Sequence, residues 1–173
     1  MKQAIRMNGI EIKEILSTEI EQYKMFLAAA LQSDEESLLI TLKDNSTAPF
    51  PTKDRNDSFT LGAYESNVLA GVVSFARDGE DREKLRHKGL MSTMYVLKEF
   101  RGLGIARELL EELIKRVKAI SDIEQINLIV VSNNLRAKQF YEKSGFEKFG
   151  TEQHSIKWKG NYLSEDLMVL RLT

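Results

Sequence analysis

No cysteine occurs among the 173 residues. This excludes disulfides and any acyl-cysteine intermediate, and it fits a reducing compartment. Histidine is nearly absent: His87 and His154 are the only two. With no Cys/His ligand cluster, no metal site is expected. Neither sign of charge is in excess, with 25 basic residues against 26 acidic and a net charge of −1. A nucleic-acid partner would call for a basic surplus, and an anionic membrane surface would too. Long apolar runs are missing as well. Residues 25–31 form the longest, too short to cross a bilayer. The opening Met1-Lys2-Gln3-Ala4-Ile5-Arg6 leads into no apolar signal core, so a cytoplasmic protein is expected. Both prolines, Pro49 and Pro51, fall in one polar stretch, residues 43–58, which is expected to be a loop. Neither flank of that loop has enough apolar sequence to bury a core alone. A single domain, 1–173, is therefore expected.

What is present is 42% hydrophobic and 29% charged, the balance of a globular protein. Ile10, Ile12 and Ile15 alternate with polar residues as in a strand. Ser17 and Thr18 offer caps for a helix whose apolar stripe is Ile20, Tyr23, Leu27, Ala30 and Leu31. A second short helix is expected over residues 35–42, with Ser33 and Asp34 as cap candidates. Residues 59–64 and 68–76 read as a hairpin turning at Glu65-Ser66-Asn67. Residues 77–88 are a mixed-charge, solvated connection. Residues 90–97 form the next strand. Residues 105–120 follow as a one-sided helix with Ile105, Leu109, Leu110, Leu113, Ile114, Val117 and Ile120 inward. Residues 126–131 are a nearly continuous apolar run, as in a strand buried on both faces. Asn133 or Asn134 caps a helix that runs to about residue 144, with Gly145 as its stop. Residues 146–149 and 167–172 read as final strands, with a polar turn at Lys159-Gly160-Asn161. The fold class is mixed α and β.

The segment Phe100-Arg101-Gly102-Leu103-Gly104-Ile105-Ala106-Arg107 joins a strand to a helix through a glycine turn. Such a turn aims several backbone N–H groups one way at the positive end of a helix dipole, which suits a pyrophosphate. Two arginines can add charge there. As a dinucleotide-binding fingerprint the turn fails: Arg107 stands where the third glycine belongs, and Asp122 precedes the next strand instead of ending it. It also fails as a phosphate-binding P-loop, because no Gly-Lys-Ser/Thr follows.

Farther on lies Asn134-Leu135-Arg136-Ala137-Lys138-Gln139-Phe140-Tyr141-Glu142-Lys143-Ser144-Gly145-Phe146. Arg101-x-x-Gly104-x-Ala106 after a strand, followed by Asn134-x-x-Ala137-x-x-x-Tyr141-x-x-x-Gly145-Phe146, resembles the GNAT superfamily of N-acetyltransferases. The motif core covers residues 89–150. The resemblance implies a central mixed sheet flanked by helices, with two parallel strands splayed apart to admit acetyl-CoA. Residues Arg101, Gly102, Leu103, Gly104, Ile105, Ala106 and Arg107 would bind the pyrophosphate of acetyl-CoA through backbone N–H groups. Met94, Tyr95 and Val96 would pair with the pantetheine arm as if it were an added strand. Asn134 would hydrogen-bond the cofactor near the pantetheine, and Tyr141 would lie by the thioester sulfur as the acid. Members of the family often dimerise, so a homodimer is compatible.

One departure bears on mechanism. Many family members carry a glutamate on the strand before the turn, and here that position is Leu90. His87, His154, Glu65 and Glu99 are substitute bases, with a water chain as the other route. The reading is an acetyl-CoA-dependent N-acetyltransferase in which a primary amine attacks the thioester directly. An acetyl-CoA-binding protein without transfer activity is the alternative, and a nucleotide-binding enzyme using the same turn is a third. The acceptor pocket is expected from residues 17–57 and 150–166.

Overall fold

The computed structural model describes residues 5–7, 9–79 and 81–172, so residues 1–4, 8, 80 and 173 of the expected domain lie outside the described residues. The chain forms two compact units, one of residues up to Ala76 together with 93–120, the other of 77–92 and 121 onward.

In the first unit the strands run in the order β1 (Ile5–Met7), β2 (Ile10–Ile15), β3 (Ser58–Glu65), β4 (Val68–Arg77) and the final residues of β5 (Lys88–Val96). β1 through β4 pair antiparallel. The hairpin between β3 and β4 turns at Ser66 and Asn67, both with positive φ, 48° and 66°. That is the mirror-image turn geometry that matches strand twist. One sheet face takes α1 (Ile20–Asp34): Tyr23, Phe26, Leu27 and Ala30 cluster with Ile15, Tyr64, Leu69, Val72 and Tyr95. The other face takes α3 (Ile105–Lys118) through Ile105 and Leu109, which lie against Gly71. A Cβ added at Gly71 would stand 3.1 Å from Ile105 and from Val96. The missing side chain there lets the first turn of α3 sit tight on β4.

Two expectations are corrected in this unit. Ser17 does not cap α1, because its hydroxyl and N–H are both engaged by Asp54. The short helix expected at 35–42 is instead α2 (Leu42–Thr47). Its start is fixed by a capping box in which Thr41 and Asp44 satisfy each other's N–H groups.

In the second unit the order is β5, β6 (Gln125–Val131), β8 (Asn161–Arg171) and β7 (Glu147–Trp158). β5 and β6 are parallel, but only Lys88↔Gln125, Gly89↔Ile126 and Leu90↔Asn127 pair. β6 continues to Val131 paired on its other edge with β8. β6 is not buried on both faces as expected, since Ile129 is exposed. The last two strands are far longer than the apolar runs foretold. Most of β7 is exposed along its length, so its polar residues carry no inside–outside alternation. α4 (Leu135–Lys143) follows β6 and ends as expected at Gly145, φ +92°. There the Phe146 N–H donates to the Tyr141 carbonyl, closing the helix.

Candidate active site

In the first unit, a short 3-10 turn, Lys98–Phe100, leads from β5 to Arg101. Gly102 (φ +86°) and Gly104 (φ +83°) then bend the chain through the left-handed region into α3. Gly104 is the N-cap residue and has no side chain with which to cap. The first intrahelical bond runs from the Glu108 N–H to the Gly104 carbonyl. The N–H groups of Ile105, Ala106 and Arg107 thus lie outside the helical ladder. α2 and α4 close their first turns with Thr41 and Asn134. α3 leaves its own open, at the end where the helix dipole is positive.

The two arginines of the turn differ. Arg107 is exposed and makes no ion pair among the described residues. Arg101 is held within the unit. Its Nη2 donates to Asp34 Oδ2 at 2.7 Å and its Nε to the Val96 carbonyl at 3.1 Å. Its backbone N–H donates to the Lys98 carbonyl. The Tyr95 hydroxyl donates to the same Asp34 oxygen, and the guanidinium lies 5.3 Å from the Tyr95 ring centre. Sequence reasoning missed Asp34 in this role, because it lies at the end of α1, far from the motif. Met94 and Val96 are half-buried, Tyr95 is buried, and Leu97 donates its N–H to Ala70. Thr93, just before them, has φ +51°, a strained value for a β-branched residue.

In the second unit, Asn134 and Tyr141 both belong to the β6–α4 connection. Asn134 caps α4 by accepting the Ala137 N–H at 3.1 Å through Oδ1. Its amide NH2 has no acceptor among the described residues. Capping and ligand contact are therefore compatible in one side chain. Tyr141 is 7% exposed, with its ring packed against Phe140 and Phe146. Burial pushes its phenol above the ordinary range, and its hydroxyl has no partner among the described residues. Asp166 organises the elements around α4. It is 1% exposed and sits 2.6 Å from Lys138 Nζ and 2.9 Å from Lys148 Nζ. It also accepts from the Ser132 and Thr151 hydroxyls. No sequence signal marked it.

Of the substitute bases, His87 is half-buried and precedes β5, with its carbonyl accepting the Glu124 N–H. His154 is exposed and stacks on Tyr162. Glu65 ends β3 beside Ser66, and Glu99 is exposed in the 3-10 turn. Leu90 is 39% exposed. No group of three or more His, Cys, Asp or Glu suited to a metal occurs among the described residues.

A Drosophila melanogaster protein named "Probable N-acetyltransferase san" is 27% identical over 126 residues, 67% of this chain. The match spans 66% of that relative's own length. A GNAT-family acetyltransferase from Streptococcus pneumoniae superposes with a TM-score of 0.77 at 22% identity, covering 95% of this chain and 99% of that one. The yncA protein of Salmonella typhimurium, solved with its cofactor acetyl-CoA, gives 0.76 at 17% identity, covering 95% and 94%. These likenesses are to the fold. The family model described as acetyltransferase (GNAT) family matches residues 19–146, most of the chain and both motifs, and the chain belongs to that family.

Proposed function

We propose that this chain is an N-acetyltransferase that moves the acetyl group of acetyl-CoA to a primary amine by direct attack. Acetyl-CoA is the co-substrate in this family, and the residues present fit it. The observation that carries the reading is the open first turn of α3, with the N–H groups of Ile105, Ala106 and Arg107 free of the helix ladder and a glycine N-cap. A Cβ at Gly104 would meet only the Arg107 guanidinium, at 3.8 Å, so the approach to the turn is open. The pyrophosphate is bound by these N–H groups and by Arg107. Arg101, tied to Asp34 and to the Val96 carbonyl, holds the start of the turn in place. Met94, Tyr95 and Val96 present the strand edge for the pantetheine arm, and Asn134 offers its unused amide.

Bound acetyl-CoA supplies an activated thioester. The amine must lose a proton, since a group with pKa near 10.4 is only ~0.1% or less deprotonated at neutral pH. Tyr141 holds a proton throughout the neutral range and donates it to the leaving sulfur. The chain works as one catalytic domain, 1–173. The absence of cysteine supports a cytoplasmic setting. A second reading, a protein that binds acetyl-CoA without transfer, is favoured only by Leu90 standing where many relatives have glutamate.

The deciding experiment pairs calorimetry with an acetyl-transfer screen over polyamines, amino acids, aminoglycosides and peptide N-termini. The parent should bind acetyl-CoA and acetylate at least one amine class. Gly104→Asp should lose at least about tenfold in affinity with a native circular dichroism spectrum. Aspartate tolerates the left-handed backbone but brings a carboxylate to the anion site. Binding without transfer supports the second reading, and unchanged affinity in the variant removes the anion site.

A further inference from the structure

Asp34 ends α1 with a carboxylate that serves neither neighbouring helix. A negative charge at a helix C-terminus opposes the helix dipole, and the last turn of α1 carries no basic residue to offset it. Asp34 is also the N-cap residue of the 3-10 turn Glu35–Ser37, yet its side chain caps nothing there. The carboxylate is largely buried, with its side chain 15% exposed. Its bonds run instead to a distant stretch of the first unit.

The Tyr95 hydroxyl, 61 residues on, donates to Asp34 Oδ2 at 3.2 Å. Arg101 Nη2, 67 residues on, donates to the same oxygen at 2.7 Å. Between them Lys98 sends its Nζ to the Ser33 carbonyl and lies 3.8 Å from Asp34 Oδ1. The end of α1 therefore grips both ends of the segment 95–101, which holds the last residues of β5 and the 3-10 turn Lys98–Phe100. An inner tie, from Arg101 Nε to the Val96 carbonyl at 3.1 Å, braces the same segment.

We propose that Asp34 is a positioning residue that sets the spacing between the two halves of the acetyl-CoA site. The inference rests on the N-acetyltransferase reading, in which the pantetheine arm lies along Met94, Tyr95 and Val96 and the pyrophosphate lies on the turn from Arg101. Asp34 touches neither half of the ligand. It acts through Tyr95 at one half-site and through Arg101 at the other. The two halves of acetyl-CoA are covalently joined, so binding one makes binding the other intramolecular. That gain is full only where the half-sites stand at the distance the ligand spans. A segment 95–101 free to flex would have to be ordered on binding, at a cost in affinity. One carboxylate bonded to both ends removes that cost in advance.

The test compares the whole ligand with its parts, on the full chain. ADP carries a pyrophosphate without the arm, and S-acetylpantetheine carries the thioester arm without the pyrophosphate. Acetyl-CoA is titrated by calorimetry, and the two fragments by ligand-observed NMR. The parent should bind all three, acetyl-CoA by far the tightest. Asp34→Ala cuts both ties. It should lose about tenfold or more in acetyl-CoA affinity, while each fragment holds within about twofold. Asp34→Asn keeps the volume and an oxygen for the Tyr95 hydroxyl but gives up the charge on Arg101. It should lose at least about threefold for acetyl-CoA with the fragments again held, and it decides the matter if Asp34→Ala lacks a native circular dichroism spectrum. Acetyl-CoA affinity within twofold of the parent in the deciding variant overturns the proposal. So does a fragment that weakens as much as acetyl-CoA, since one half-site would then be damaged and the spacing would not matter. A parent that binds acetyl-CoA but neither fragment overturns it too, and leaves the transferase reading in place. A parent that does not bind acetyl-CoA overturns both.

Discussion

Asn134 and Tyr141 differ in how much of their role a sequence can carry. Asn134 reads as a cap at the residue scale and is one, yet only the structure shows that capping uses its oxygen and leaves the amide nitrogen without an acceptor among the described residues. Tyr141 falls on the apolar stripe of α4, where an adjacent Phe140 would serve a core equally well. The structure buries the Tyr141 ring and leaves its hydroxyl without a partner among the described residues. No described residue hydrogen-bonds that oxygen, so removing it tests chemistry and not stability. Tyr141→Phe is expected to lower turnover by roughly 10²-fold, within the usual range for general acid catalysis, with acetyl-CoA affinity nearly unchanged. Burial holds the phenol above its ordinary range. The parent's rate should therefore show no loss traceable to this group below about pH 10. A variant as fast as the parent in single-turnover assays would return Tyr141 to a packing role.

At the scale of elements, legibility follows burial. α3 was legible because its stripe faces one way: Ile105, Leu109, Leu113 and Val117 are all buried. The β3–β4 hairpin was legible from its turn residues. β7 was not, because an exposed strand gains its order from β8 and not from a pattern of its own. α2 lies later than its pattern suggests because its stretch offers few apolar residues, and the Thr41-x-x-Asp44 box is what fixes its start. Asp166 is not legible in the sequence because its partners come from the β6–α4 connection, α4 and β7, scattered along the chain. Replacing it leaves the buried end of Lys138 without its anion. Asp166→Asn should destabilise the fold by about 2–3 kcal/mol at pH 7, less than the ~3–5 typical of a fully buried pair because Lys148 reaches water. Lys138, and then Lys148, Thr151 and Ser132, hold the carboxyl well below the usual carboxylate range. The sign follows from that lowered value. The stabilisation is full above the unfolded-state pKa of about 4 and is lost as pH falls from there through the folded one. Urea unfolding should show the widest gap between parent and variant at pH 7 and a narrower one at pH 3. An equal gap at both would mean the carboxylate's charge does not matter.

For the molecule as a whole, a net charge of −1 gives an anionic cofactor no long-range attraction. On the proposed function, binding comes from local groups: the open turn of α3, the exposed Arg107 and the strand edge at Met94, Tyr95 and Val96. A ligand held only by the folded state raises stability by mass action, about 2.7 kcal/mol at a hundredfold excess over Kd. For a chain of this length that corresponds to a rise in Tm of roughly 5–10 °C. Acetyl-CoA at that excess should therefore lift the parent's melting temperature by this amount. Gly104→Asp should show little or no lift at the same concentration, because the anion site is lost while the fold remains. Tyr141→Phe should show nearly the full lift, because in the proposed mechanism its hydroxyl acts on the leaving sulfur and contributes little to holding the cofactor. This contrast separates binding from chemistry without any acceptor amine. A full lift in Gly104→Asp would show that the cofactor is held elsewhere in the molecule, whatever the transfer assays report.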